Sequence, residues 1–501
     1  MSGLAPKLEL ENPDPSLVND DIRPVTADER HWSVFSMASL WVGMVVCVPT
    51  YMLAGGLIDQ GMDWRQAVLT VMLGNVVVLA PMILNGHPGT KYGVPFPVLA
   101  RASFGILGAH VPSLLRALVA CGWFGIQTWV GGSAIFQLLD VVSSANLGAL
   151  SDLPILGINA VELACFLFFW AIQVVIIHRG VESIRVLESI AAPFLIVMGL
   201  ALLAWAWVEA DGFGPMLSTP SQFSPGQPRE GEFWQVFFPS LTAMVGFWAT
   251  LSLNIPDFTR YAKSQRDQIL GQAIGLPTTM TLFAFIGVAV TSATTVIFGE
   301  TIWDPTVLLG RMGGGFSVVL SLLALTVATL STNIAANVVS PANAMINLDP
   351  RRISFRLGGY VTAGLGVVIF PWKLLESTDG YIFTWLMGYS ALLGPIGGIL
   401  IIDYFLLRRT ELDLEGLYQR NGPYRYWRGF NPAAMIALFI AVLPNVPGFI
   451  HAAGIVDRVA PVWDQIYNYA WFVGFLLGGC LYLALMKVLK FGPHKTAVTP
   501  D

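Results

Sequence analysis

The sequence predicts an all-α membrane protein of twelve transmembrane helices, arranged as a five-plus-five inverted repeat with two further helices. Three observations predict it. Hydrophobic residues make up 55% of the 501-residue chain and charged residues only 12%, with a mean hydropathy of +0.65, whereas soluble domains carry about 25% charged residues. The apolar residues fall in runs of about 20, the length that crosses a bilayer as a helix, and they do not alternate as strands would. Two of the runs are interrupted in matching ways, five runs apart.

The runs lie at 34–58, 66–84, 112–139, 158–177, 189–208, 233–256, 272–298, 315–341, 357–373, 381–406, 432–450 and 467–487. The first reads LWVGMVVCVPTYMLAGG, with Gly43 at its middle and Pro49 beyond it. The sixth reads LTAMVGFWATLSLNIPDF, with Gly246-Phe247-Trp248 at its centre and Pro256 downstream. Interrupted spans in corresponding places of two halves point to a transport site at the membrane midplane. An odd number of spans per half turns the second half over. The expected units are a first repeat, 33–208, a second, 233–410, and the last two spans within 411–490, with tails at 1–32 and 491–501.

Of the 27 Lys and Arg, 21 fall on one side of this arrangement and five on the other, with Arg116 at the start of the third span. By the positive-inside rule both termini are cytoplasmic. The segment NGHPGTKYGVPFPVLARASFG (85–105) is expected to be a structured cytoplasmic loop. NGPYRYWRGFN (421–431) is expected to be an amphipathic anchor at the interface.

Several classes are excluded by what the sequence carries. A net charge of −5 and a pI near 5.7 without a basic stripe leave no footprint for nucleic acid. The first 30 residues are polar and acidic, so no cleavable leader is expected. All four cysteines sit in apolar runs without C-x-x-C spacing, which argues against disulfides and zinc. The six histidines lie near span ends or outside the spans, and no H-E-x-x-H or paired intramembrane carboxylates exist for an enzyme. A repeated pore-loop motif for a channel is likewise missing.

The polar residues inside the spans carry the chemistry. LTVATLSTNIAANVVSPANA (325–344) holds Thr329, Ser331, Thr332, Asn333, Asn337 and Ser340 within twelve positions. In hydrocarbon such groups must face a partner helix or a wet cavity. On a helical wheel Ala328, Ser331 and Thr332 share an arc of about 100°, and Asn333 and Asn337 fall on the other side. The helix therefore reads as a wall between a small-cation site and a polar organic ligand. Two hydroxyls and the Ala328 carbonyl, with carbonyls freed around Gly43–Val46, make an oxygen set without carboxylates, which suits Na⁺ better than Ca²⁺ or Mg²⁺. No Asp or Glu lies mid-span in these helices to relay a proton. In span 3, CGWFGIQTWVGG (121–132), Trp123 and Gln127 are four apart and share a face. An indole beside an amide suits a planar heterocycle with N–H and C=O edges. Trp248 would supply the opposite face of a ring sandwich, and Asn337 another edge contact.

With these strings in hand, the chain resembles the nucleobase:cation symporter-1 family over nearly its whole length. The resemblance is carried by VPTYMLAGGLI (48–58), PGTKYGVPFPVLARASFG (88–105), CGWFGIQTWVGG (121–132), STNIAANVVSPANAMINLDPRRI (331–353) and GPIGGILIIDYFLLRR (394–409). It looks closest to the branch of bacterial allantoin and plant plastid nucleobase carriers, and is similar to the bacterial hydantoin–sodium symporter. The resemblance implies alternating access in an inverted-repeat fold. It places stacking tryptophans at Trp123 and Trp248, ligand amides at Gln127 and Asn337, and sodium ligands at the Gly43, Val46 and Ala328 carbonyls and the Ser331 and Thr332 hydroxyls. Cys47 and Phe247 depart from the hydantoin carrier's pattern, which has glutamine and glycine there, so both, with Val46, are expected to reshape the ligand wall.

The expectation is a monomeric symporter in a bacterial plasma membrane. It would import a uracil, purine, allantoin or hydantoin-class heterocycle with Na⁺, or alternatively H⁺, as coupling ion. An amino-acid symporter of the same fold is the alternative.

Overall fold

The computed structural model describes residues 10–489 apart from 144–145, 155, 180 and 313–314; the side chains of 181–194, 316, 317, 320, 324, 328, 331 and 335 also lie outside the described set. Regular structure among the described residues is helical, with two isolated β-bridges.

The first span shows how the sequence breaks a helix. It opens at Ser33, whose hydroxyl accepts from the Ser36 amide in a reciprocal capping box. Helix α1 (Val34–Val45) then runs until Pro49 forbids continuation. Proline has no N–H to donate, and its ring collides with the carbonyl four residues back, that of Val45. Val46 (φ −76°, ψ 82°) and Cys47 (φ −148°, ψ 161°) leave helical geometry, and α2 (Val48–Asp59) departs at 61°. The expected loosening at Gly43–Val46 is thus displaced. Gly43 stays helical, because the proline acts at Val45 and not at the glycine.

Helix α3 (Trp64–Tyr92) passes through Pro81 and Pro88 and stops at Gly93, whose φ of 70° favours glycine and where a Cβ would lie 2.7 Å from Val25 O. The expected loop at 85–105 is therefore mostly helix, since α4 (Phe96–Phe104) follows at once. The order continues with α5 (His110–Ser143), α6 (Ala160–Arg179), α7 (Val181–Glu209) and α8 (Phe233–Phe247). After the single non-helical residue Trp248 come α9 (Ala249–Asn254), α10 (Gln265–Phe298), α11 (Pro305–Arg311), α12 (Gly315–Asn337), α13 (Val339–Ile346) and α14 (Phe355–Val368). The last three are α15 (Gly380–Leu407), α16 (Pro432–Ala452) and α17 (Ala470–Val488). Pro256 removes the amide that would close onto Ser252 O, and the Asn85 side chain of α3 donates to that carbonyl instead, at 2.7 Å.

Among the described residues eight helices, or nine with α1 and α2 counted as one bent pass, are long and apolar enough to cross a membrane. The fifth run lies in α7 (Val181–Glu209), and the sixth appears as the shorter apolar helix Phe233–Phe247. The sixth is short because Trp248 ends it.

Helix α5 is the axis of the bundle and packs against α6, α12, α13 and α14. Its glycines permit this closeness: a Cβ at Gly125 would lie 2.3 Å from Gly366 O of α14. Residues 10–32 fold back under the bundle, where Leu17 and Ile22 join Tyr92, Val98, Tyr418 and Tyr424 in a second apolar cluster. The segment 421–431, expected to be an amphipathic anchor, forms turns, with Trp427 exposed. Gly429 O accepts the amides of Leu107 and Gly108 at 2.8 and 3.0 Å, so the segment clamps the end of α4.

Candidate functional site

The two interruptions, at Val46–Cys47 and at Trp248, meet the middle of α5 and the end of α12 around one cavity. Its walls are Met44, Cys47 and Pro49 from the first break, Phe247, Trp248, Thr250 and Leu251 from the second, Trp123 and Gln127 from α5, and Thr332, Ala336 and Asn337 from α12. The cavity volume is about 40 Å³, well below the roughly 300–1,000 Å³ common to ligand sites, so the walls are drawn in around little empty space. Apart from Cys47, no titratable side chain lines it among the described residues.

Six expected ligand residues are thereby brought together: Cys47, Trp123, Gln127, Phe247, Trp248 and Asn337. Val46 is not with them. Its side chain turns into the main core, 1% exposed, while Met44 and Pro49 reach the cavity from either side of the break. Both tryptophans of the expected sandwich line the cavity, and Phe247 stands against each, its ring centre 5.2 Å from Trp123 at 78° and 5.0 Å from Trp248 at 87°. Edge-to-face geometry of this kind favours the ring quadrupoles over a stacked arrangement.

Polar atoms at the site divide into satisfied and unsatisfied ones. Cys47 Sγ lies 3.3 Å from Thr50 Oγ1. Asn337 Nδ2 donates to Asn333 Oδ1 at 2.9 Å. Gln127 Oε1 and Trp248 Nε1 are buried without a hydrogen-bond partner. Buried polar atoms are nearly always paired, so unpaired ones in a cavity wall are where a ligand's polar edge would fit.

The expected cation face is less separate than the wheel suggests. Thr332 lines the same cavity as Asn337, whereas Asn333 turns away from it toward α5 and α6. The side chains of Ala328 and Ser331 lie outside the described residues. At the first break, the Cys47 amide bonds Val45 O and the Thr50 amide bonds Cys47 O. The carbonyls of Gly43 and Val46 therefore do not receive the amide four residues on.

Three aromatic residues escaped the sequence reading. Tyr381, Trp385 and Tyr389 of α15 stand at 6.2, 6.0 and 6.3 Å from the Trp123 ring, enclosing it on the side away from the cavity. Their spacing of four and four on one helix face was the available signal. The start of α15 is also tied across α2: Tyr381 donates to Pro49 O at 3.1 Å, Gln60 to Asp379 at 2.9 Å, and Thr378 to Asp59.

Comparison with known proteins agrees with this architecture. A family described as permease for cytosine/purines, uracil, thiamine, allantoin matches residues 24–474. The chain is 50% identical over 479 residues to the purine-uracil permease NCS1 of Arabidopsis thaliana, covering 95% of this chain and 79% of that protein. It is 41% identical over 473 residues to the allantoin permease of Bacillus subtilis (strain 168), covering 94% of each. The inward-facing conformation of Mhp1 matches with a TM-score of 0.78 at 26% identity, over 96% of both chains. The closed conformation of Mhp1, a nucleobase-cation-symport-1 family transporter with bromovinylhydantoin bound, matches at 0.74 and 27% identity, over 95% of this chain and 97% of that one. The fold is the inverted repeat expected, the relatives are permeases and not enzymes, and the chain belongs to the nucleobase-cation-symport-1 family of integral membrane transporters.

Proposed function

We propose that the protein imports a neutral planar heterocycle of the uracil, purine, allantoin or hydantoin class by Na⁺ symport with alternating access. The observation that carries this reading is the single cavity at both helix breaks, walled by Trp123, Phe247 and Trp248 and edged by Gln127 and Asn337. Flat apolar faces take a ring, and amide edges take its N–H and C=O groups. A zwitterionic amino acid would bring two charges into a wall that offers no titratable side chain but a thiol, which counts against that alternative. The relatives named for purine, uracil and allantoin support the same class.

In this reading Na⁺ sits between the first break and α12, held by the carbonyls of Gly43, Val46 and Ala328 and the hydroxyls of Ser331 and Thr332. Support comes from the Gly43 and Val46 carbonyls, whose helical amides bond elsewhere. Because Thr332 borders the ligand cavity, ion and heterocycle would share a wall, and each would order the other's site. The protein would work as a monomer in the plasma membrane, with both termini cytoplasmic and the tie between α2 and α15 on the outer side.

The test is uptake of radiolabelled uracil, hypoxanthine, allantoin, hydantoin and phenylalanine into proteoliposomes, with NaCl or choline chloride outside at fixed pH. Uptake of one heterocycle class that requires Na⁺ is expected. Uptake of phenylalanine alone would refute the substrate class, and uptake that follows only an imposed pH gradient would refute the ion.

A further inference from the structure

Behind Asn337 runs a hydrogen-bonded chain whose three other side chains are not among those lining the ligand cavity. Thr128 of α5, Gln173 of α6 and Asn333 of α12 are each 0% exposed. The direction of every bond in it follows from one fixed point. Phe124 O is a backbone carbonyl and can only accept. It receives the Thr128 hydroxyl at 2.6 Å and Asn333 Nδ2 at 3.0 Å. With its hydrogen so committed, Thr128 Oγ1 must accept, and it does so from Gln173 Nε2 at 3.0 Å and Asn333 Nδ2 at 3.2 Å. Gln173 then presents its other end, Oε1, to Asn333 Nδ2 at 2.7 Å. Only Oδ1 of Asn333 remains, and it accepts from Asn337 Nδ2 at 2.9 Å. Amide orientation cannot be told from shape alone. Here, turning any one amide over would set donor against donor or acceptor against acceptor in a fully buried site.

The consequence reaches the ligand. Asn337 spends one N–H on Asn333, so its amide cannot turn over, and its carbonyl oxygen and remaining N–H keep fixed places in the cavity wall. We propose that Thr128, Gln173 and Asn333 are positioning residues that fix which way round the Asn337 amide stands, so that its Oδ1 must be met by a ring N–H on the ligand. The selected class is rings with an imide, amide or ureide N–H at the Asn337 edge. Rings alkylated at that nitrogen are rejected, because Asn337 Oδ1 would then be left without its donor. This inference rests on the heterocycle reading of the cavity above.

The test measures dissociation constants on purified protein for uracil with 1-methyl- and 3-methyluracil, and for hydantoin with 1-methyl- and 3-methylhydantoin. Losing one buried hydrogen bond should weaken binding roughly 5- to 150-fold. The wild type is therefore expected to reject one N-methyl isomer by at least roughly fivefold in a series it binds. Asn333→Leu frees the Asn337 amide to turn over. The double variant Thr128→Val/Gln173→Met loosens Asn333 without touching Asn337. In both, the ratio between the N-methyl and N–H ligands should fall toward one. None of the three residues touches the cavity, so a purely steric rejection of the methyl group would leave the ratio unchanged, and that result overturns the relay. Equal wild-type binding of all N-methyl isomers overturns it without any variant. If the wild type binds none of the six probes and transports phenylalanine alone, the heterocycle reading itself falls, and the relay with it.

Discussion

Phe247 offers the sharpest test of the cavity wall, because it stands where the two tryptophans would otherwise face open space. Replacing it by alanine removes two edge-to-face contacts, to Trp123 and Trp248, with ring centres at 5.2 and 5.0 Å. Each such pair contributes about 0.5–1.5 kcal/mol beyond area burial. A phenylalanine packed on all sides costs about 3–5 kcal/mol when cut to alanine. Phe247 is 6% exposed but already borders empty space on one side, so the loss should sit nearer to about 2–3 kcal/mol. The ligand-side effect is larger in ratio. The vacated volume can take a ring substituent, and burying a phenyl group contributes about 1.5–3 kcal/mol, or roughly 10- to 150-fold in affinity. The assay is thermal unfolding in detergent together with binding of hydantoin and 5-benzylhydantoin to Phe247→Ala and wild type. The variant should melt lower, and its preference should shift toward the benzyl compound by at least tenfold. An unchanged melting temperature with an unchanged preference would mean that the Phe247 ring neither braces the tryptophans nor limits the ligand.

Other expectations follow from separate contacts. Thr332→Ala should lower Na⁺ affinity and, by linkage, shrink the factor by which Na⁺ tightens ligand binding, commonly 5- to 150-fold; ligand titrations at several NaCl concentrations would show it, and an unchanged factor removes Thr332 from the ion site. Asp403→Asn keeps the side-chain shape but leaves Arg408, buried and bonded to Asp403 at 2.7 Å, without its counter-charge; a loss of about 3–5 kcal/mol is expected, and a melting curve matching wild type would contradict it. Gly398→Ala would place a Cβ 2.0 Å from Phe475 O, forcing α15 and α17 apart, at a cost of about 1–3 kcal/mol; a variant as stable as wild type would show that the two helices can separate freely.

How much of this was legible in the sequence depends on whether the cause was local. The first break was readable because Pro49 acts through its own ring, and only its position was misjudged, by attributing it to Gly43. The helical run through 85–92 was missed for the opposite reason. Pro88 and two glycines argue for a loop on local propensity, yet burial of Asn85 and Thr90, with Asn85 bonding Ser252 O and Thr90 bonding Thr259 O, holds the helix intact. The turns at 421–431 likewise depend on a distant partner, the end of α4. A pattern of tyrosines and arginines does not show that Gly429 O takes the amides of Leu107 and Gly108 in the turn between α4 and α5, or that the Asn431 amide bonds Phe104 O.

The site shows the same division at finer scale. Residue types at the cavity were legible, since an indole, two amides and a thiol stand out in an apolar chain. Their directions were not. A wheel carries angle but neither height along the axis nor the crossing partner, so it set Thr332 apart from Asn337 and grouped Asn337 with Asn333. In the bundle Thr332 and Asn337 share the cavity, while Asn333 points at α5. What Asn337 offers a ligand is fixed by Phe124 O, a backbone atom on another helix, through side chains from α5, α6 and α12. A backbone carbonyl is present at every position and leaves no mark in a sequence. The hydrogen-bonding sense of a polar site is therefore decided by atoms that residue identity does not encode, and two chains with the same cavity residues could select opposite ligand edges if the helix behind them were set one turn differently.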